Sequence, residues 1–550
     1  MSESDPGGRC LRVLNITLGL EEDEALLRAR AAERVGLDVE AVRGLRLGRR
    51  ALDARRRGRS GQPHYVVHVD LMVDADTEKR ASARLRAALR SGHAVWQAPP
   101  VEVTLPPHAS LQGRRVAVIG AGPAGVFAAW VLARSGIGVD LFDRGPALPE
   151  RSRVWSRFLR TRELDPEANL LFGEGGAGTY SDGKIYTRID HPLEVPILEE
   201  WIACGAPEAI AYDARAHIGT DRLHSVLPKM RARLEAQGVR FHWGTRLDGL
   251  EVVESSPSRI RALRTSRGEI PCDAVILAVG HSARDTLAEL AAAGVRMEAK
   301  PFQLGVRVEH PQALIDEARY GDLKWVTQLG VSDYKLTARA GSGAAAAHSF
   351  CMCPGGQIVA SVNQPGLLCT NGMSNSRHSS PYANAAVVTT LGPRETGPGA
   401  FAGFDYRERL ESLFFEAGGQ DWTAPAQRVD DFLAGRDSVS LPDTSYKLGT
   451  HASRLDRLLP DVVGSALRHA LSEFGRKIPG YAGPEGLLVG IESRSSGCVR
   501  ITRDEESRRA PDFVNLFPVG EGAGYAGGIM SACIDGARSA QALLRYGLEA

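Results

Sequence analysis

The chain has 550 residues, a formal net charge of +1, 43% hydrophobic and 24% charged residues. Its length predicts two or three domains with a full apolar core, and its near-zero charge excludes a global pull toward nucleic acid or an anionic membrane. Eight cysteines in so long a chain do not form a disulfide framework, and MSESDPGGRC lacks the basic and apolar regions of a secretion signal, so a reducing cytoplasm is expected.

In chain order, residues 1–105 predict a small α/β module. LRVLNITL reads as a strand, EDEALLRARAAERVG as a helix, HYVVHVDLMV as an alternating strand and TEKRASARLRAAL as a second helix. Between them Arg43, Arg46, Arg49, Arg50, Arg55, Arg56, Arg57 and Arg59 crowd one segment. Without an aromatic stacking platform beside it, this segment reads as a solvated basic loop rather than an RNA-binding surface. The Pro-rich stretch before Gly113 serves as a linker, placed at 106–113.

The uncharged run VAVIGAGPAGVFAAWVLA is long enough to suggest a membrane span, but its Gly-Pro centre divides a β-branched strand from an Ala-rich helix. Gly120, Gly122 and Gly125 sit at that turn, and the next strand, GVDLF, runs into Asp143 and Arg144. This is the dinucleotide pattern. Gly120 permits the tight turn, Gly122 lets backbone approach a pyrophosphate, and Gly125, beside Ala124, lets helix and strand meet. The helix N-terminus offers unpaired N–H groups to phosphate, and Asp143 can accept from ribose hydroxyls.

FGEGGAGTYSDGKIYTRI contains GTYSDGKI (178–185), which matches a phosphate-binding P-loop except that Ile185 stands where Ser or Thr would hold magnesium. Gly173, Gly175, Gly176 and Gly178 are therefore read as letting backbone approach a flat ring. Further on, AVILAVGHSA carries Gly280, and FVNLFPVGEGAGYAGGIM carries Gly520, Glu521, Gly527 and Gly528. These resemble the middle and closing motifs of flavoproteins of the glutathione-reductase-like superfamily, where the acid binds the ribityl chain and the last helix faces the flavin. Three such motifs in order imply FAD. No second strand–GxGxxG–helix for NAD(P)H follows.

With RALDARRRG, HIGTDRL, PFQLGVRVEHPQ, FCMCPGGQIV, NGMSNSRHSSPYANAAV, LPDTSYKLG and IESRSSGCVRITRD added, nearly the whole chain resembles the bacterial FAD-dependent dehydrogenase family of unassigned substrate. Asp143 departs from the Glu usual there, and Gly497-Cys498 from a Ser-Pro or similar pair. The resemblance implies an α/β fold: a split Rossmann-like FAD-binding domain (114–300 and 491–550), a mixed α/β substrate domain (301–490) and a ferredoxin-like N-terminal module. The implied protein is a cytoplasmic FAD-dependent oxidoreductase, a dehydrogenase or oxidase passing hydride from a small anionic substrate to non-covalent FAD. A monooxygenase using NAD(P)H and oxygen, and an RNA-modifying or RNA-binding flavoprotein, are the alternatives; neither a membrane nor nucleic acid is a favoured partner.

For catalysis the sequence offers Arg494 and Arg500 as a carboxylate fork, against structural pairing with Glu492 or Asp504. His217, His281 and His310 are candidate proton-transfer groups, with turn or packing roles as the plainer reading. Lys184, Asp182 and Arg307 could line the flavin cavity. Cys351 and Cys353 could form a dithiol beside the ring, although small packing residues are the simpler reading, and no further ligands at metal spacing accompany them.

Overall fold

The computed structural model describes residues 8–54, 63–79, 81–99, 101–187, 189–341 and 343–548. Two compact units result: Met1–Val101 with Pro207–Ala216, and Glu102–Ala206 with His217–Ala550.

In the smaller unit, strands Gly8–Gly19, Val42–Asp53, His64–Asp74 and Ala94–Trp96 alternate with helices Leu26–Val35 and Ala83–Arg90. The sheet is antiparallel with the His64–Asp74 and Gly8–Gly19 strands central. This β-α-β-β-α-β order is ferredoxin-like. Alternation along the central strands puts Leu11, Val13, Val67, Val69 and Leu71 into one buried layer with Leu27, Ala31 and Leu85 of the helices.

The basic segment is corrected here. Arg43, Arg46, Arg49 and Arg50 lie on the Val42–Asp53 strand, not in a loop. Arg46 joins Arg12 on the buried Asp70, and Arg43 pairs with Asp74. Arg50 bonds through its backbone to Tyr212 and Ala214, and its Nε lies 2.9 Å from Asp213 Oδ1. Acids within the unit thus pair with Arg43, Arg46 and Arg50, three of the four described arginines of the run, which argues against an RNA surface on this strand. Arg55, Arg56, Arg57 and Arg59 lie outside the described residues.

The larger unit holds two main sheets. One is five-stranded and wholly parallel, in the spatial order Leu516–Pro518, Ala274–Leu277, Arg115–Ile119, Gly138–Phe142, Arg240–His242. Its central strands are apolar on both faces, as helix-covered parallel strands are. The Pro123–Arg134 helix is buried from Ala124 to Leu132, and its small residues admit the Ile529–Tyr546 helix closely: a Cβ on Gly536 would lie 1.9 Å from the Ala124 carbonyl oxygen. No helix among the described residues is long and apolar enough to cross a membrane.

The second sheet has seven strands, in the spatial order Thr337–Ala338, Ala347–Cys353, Tyr382–Leu391, Phe302–Pro311, Leu487–Glu492, Ala424–Arg428, Thr450–Ala452. It is antiparallel except for its last pair. The Met297–Ala299 strand pairs with Val499–Ile501, so the chain leaves and re-enters this layer side by side.

Candidate functional site

Turns at the carboxyl ends of three parallel strands meet at one place. Gly120, at φ +108°, follows Arg115–Ile119, and a Cβ on it would lie 2.2 Å from the Ala278 carbonyl oxygen after the neighbouring strand. A Cβ on Gly522, after Leu516–Pro518, would lie 2.4 Å from the Gly280 carbonyl oxygen. Gly125 is equally constrained, 1.9 Å from the Gly120 carbonyl oxygen. None of these three can be any larger residue without moving backbone.

Other glycines face open space. A Cβ on Gly122 would find nothing nearer than Gly176 Cα at 3.9 Å, and Gly280, Gly527 and Gly528 have nothing within 4 Å. Gly122 and Gly528 are the N-caps of the Pro123–Arg134 and Ile529–Tyr546 helices, without side-chain caps. The Gly173–Gly178 loop lies across the first turn, with Gly175 N donating to the Ala121 carbonyl over 2.9 Å. Buried polar atoms near these turns, His281 Nε2, Ser282 Oγ and Ser495 Oγ, carry no hydrogen bond. Open glycines, uncapped helix starts and orphaned polar atoms suit a bound dinucleotide.

Two expected ligands prove to be occupied. Asp143 is buried, and its carboxylate accepts from Ala121 N, Gly145 N and Gly173 N at 2.8, 2.8 and 2.9 Å. One methylene shorter than Glu, it ties the two glycine loops together instead of reaching out to ribose. Arg144 pairs with Glu167 and Asp285 and lies over the Phe172 ring.

Glu521 is held differently. Its turn is anchored by Asp535, which accepts from Gly520 N and is itself paired with Arg503 and Arg508. Its carboxylate lies 3.9 Å from His281 Nδ1 and feels the charge of Lys300, whose Nζ donates to the Gly497 carbonyl over 3.2 Å. Burial pushes Glu521 up to about 7 and His281 down to about 3. The folded apoprotein thus retains the Glu521 proton above the ordinary value of 4.5, so stability falls between about pH 4.5 and 7, then levels. This one group accounts for up to about 3 kcal/mol of that fall. In Glu521→Gln that contribution vanishes, so the variant's denaturant midpoint should gain on the wild type's from pH 5 to 7. Parallel midpoints would refute this.

Arg494 is not a free fork. It is buried, with Nε and Nη2 on the two carboxylate oxygens of Glu411 and Nη1 on Asn363. Ser493 and Arg407 complete the group. Neither Glu492 nor Asp504 is its partner. Arg500 differs: its Nε is unbonded, its nearest acid is Glu298 at 3.9 Å, and its guanidinium lies over the Tyr525 ring beside the Gly524 turn.

Lys184 and Asp182 form an ion pair of 2.9 Å, and Lys184 also donates to the Met352 carbonyl. So engaged, Lys184 cannot serve as a P-loop lysine. The rings of His217 and His378 stack with centroids 4.2 Å apart, His378 lying 3.6 Å from Asp182. Arg307 is buried against Glu492, and His310 bonds the Tyr481 carbonyl, a packing role. The structural residues unnoticed in the sequence, Glu411, Asn363, Lys300 and Asp535, carry no motif; only Asp535, one helical turn after Ser531 in a glycine-led helix, could have drawn attention.

A split parallel sheet with open glycine turns at its strand ends, closed by a glycine-led helix, defines a dinucleotide-dependent oxidoreductase. Residues 301–495 match the family described as FAD-dependent protein, C-terminal domain-like, residues 118–168 the NAD(P)-binding Rossmann-like domain, and residues 11–72 a domain of unknown function. An uncharacterised protein of Clostridium beijerinckii is 36% identical over 538 residues, covering 97% of this chain and 98% of its own length. The chain belongs to this family of FAD-dependent oxidoreductases, and its cofactor is FAD. A kynurenine 3-monooxygenase of Salinispora arenicola is 33% identical over 174 residues, 30% of this chain and 35% of that protein. The solved structure of NikD, an unusual amino acid oxidase, aligns over 80% of this chain and 95% of its own at 11% identity and a TM-score of 0.33, too low to bear on function.

Proposed function

We propose that the cradle formed by Gly120–Gly125, Gly175–Gly178, Gly280, Gly520–Glu521 and Gly527–Gly528 holds FAD non-covalently, and that a small organic anion gives up a hydride there. The meeting of the three strand-end turns, tight where backbone must touch backbone and open elsewhere, carries this reading. When bound, FAD supplies the two-electron acceptor. The N–H groups of Ala124, Gly125 and Ile529 face negative charge, and Glu521 accepts from sugar hydroxyls. Asp143 and Arg144 act one step back, holding the loops in place. His281 is a neutral hydrogen-bonding partner with Nε2 free. With Arg494 engaged on Glu411, the anion falls to Arg500 and Lys300.

Purified protein should be yellow and release FAD on heating. Anaerobic mixing with a panel of amino and carboxylic acids should bleach the flavin with at least one of them. For that substrate, Arg500→Lys should raise the apparent KM roughly tenfold with FAD content intact, because lysine keeps the charge but loses the planar fork. Bleaching by neutral or cationic compounds alone would overturn the anionic assignment. The partial match to a monooxygenase supports a second reading, in which NAD(P)H and oxygen are the redox partners. Bleaching by NAD(P)H with substrate-stimulated oxygen uptake would select it.

A further inference from the structure

The Ala347–Cys353 strand loses register against Tyr382–Leu391 between Phe350 and Cys353. Within that irregularity Cys351 has φ +41°, a left-handed conformation that is strained for a residue with a side chain. In this turn of the backbone Cys353 Sγ lies 3.3 Å from the Cys351 carbonyl oxygen. Two cations attend them. Arg307 places Nη2 2.7 Å from the Cys351 carbonyl oxygen and 3.8 Å from Cys353 Sγ, and Lys184 is bonded to the intervening Met352 carbonyl. Cysteines that merely fill space need neither a strained backbone nor two cations beside them.

Access is graded. Cys353 is buried and Cys351 half-buried, while Lys184 and His378 at the margin keep 24% and 17% of their side chains exposed.

We propose that Cys351 and Cys353 form a thiol–disulfide exchange site that takes a small-molecule disulfide, with Cys351 attacking and Cys353 resolving. The Cys351 thiolate attacks one sulfur of RS–SR; that S–S bond breaks, a Cys351–SR bond forms and RS⁻ leaves. Cys353 then loses its proton to solvent and attacks Cys351 Sγ, expelling the second RS⁻ and closing a Cys351–Cys353 bond. The two thiols lose two electrons and two protons, and the disulfide takes up both to give two RSH. This assignment is independent of the FAD site.

The charged and titratable groups facing Cys351 are Cys353, Lys184, Arg307, Asp182 and, behind Arg307, Glu492. The hydrogen bond from Cys353, with Lys184 and Arg307, draws Cys351 down to about 6, while burial pushes the half-buried Cys272 up to about 12. At pH 7 the gain in thiolate fraction, less the lower nucleophilicity of the weaker base, leaves Cys351 about a hundredfold more reactive than Cys272.

The test treats the holoenzyme with glutathione disulfide and maps its peptides by mass spectrometry. A bond joining Cys351 to Cys353, with two glutathiones released per chain, is expected, and Cys353→Ser should trap glutathione on Cys351. Lys184→Met should slow the reaction. Independent glutathione adducts on both cysteines without the internal bond, or Cys351 reacting no faster than Cys272, would overturn the assignment. Should Cys353→Ser fail to fold, the wild-type map and the relative rates decide alone.

Discussion

Gly122→Val is expected to yield a folded, colourless protein. A Cβ at this position meets nothing closer than 3.9 Å, so the polypeptide has room for a side chain. The space it enters is the space the proposal gives to pyrophosphate. A valine there would displace the phosphates from the uncapped N–H groups of the Pro123–Arg134 helix, and affinity for FAD should fall at least a hundredfold, the loss of several charge-assisted hydrogen bonds. Gly125→Ala provides the contrast. Its Cβ would lie 1.9 Å from the Gly120 carbonyl oxygen, so this variant should lose thermal stability as well as FAD. Flavin released by heat, read beside the unfolding transition of the apoprotein, separates the two. Wild-type FAD occupancy in Gly122→Val would remove residues 120–125 from the cofactor site.

The second large effect is expected at Arg494. Replacing it with methionine leaves Glu411 fully buried with Arg407 as its remaining cation, whose Nε lies 3.3 Å from Glu411 Oε1. Breaking a buried ion pair from one side costs about 3–5 kcal/mol, and the surviving Arg407 places this case near the lower figure. Glu411→Leu, which strands two buried arginines, should cost at least as much. The paired arginines hold the Glu411 carboxyl below its ordinary 4.5, so the pair stabilises the fold above that pH and is lost as acid protonates the folded group. Chemical unfolding at pH 7 and at lower pH checks both points. An Arg494→Met protein of wild-type stability that fails only with substrate would return this arginine to the active site.

Asp143 and Arg494 show where local reading of a sequence stops. The glycine spacing at 120, 122 and 125, the strand ending at Asp143 and the Gly520-Glu521 turn depend on neighbouring residues, and chain order alone located them. What Asp143 bonds depends on where Gly173 comes to rest, thirty positions away. Arg494 was identifiable as a cation, but its partner lies on the Ala402–Gly418 helix, eighty-three positions earlier. A charged side chain's role is set by whichever opposite charge the tertiary fold brings to it, and spacing carries no record of that. The Val42–Asp53 strand was missed for a related reason: its arginines made it resemble a solvated loop, while the acids that neutralise them sit on other elements.

The smaller unit takes in Pro207–Ala216, through Arg50, from far beyond its own strands. During synthesis, then, the first hundred residues emerge from the ribosome without the segment that completes them. Domains generally form as units while the chain is still growing, but this one must wait through the whole first stretch of the parallel sheet, the glycine turn and the crossing loop included. A gene fragment ending at Val101 should accordingly give a less stable product than one in which Pro207–Ala216 is grafted on by a short linker, and the order in which the two units mature is written into where the chain doubles back.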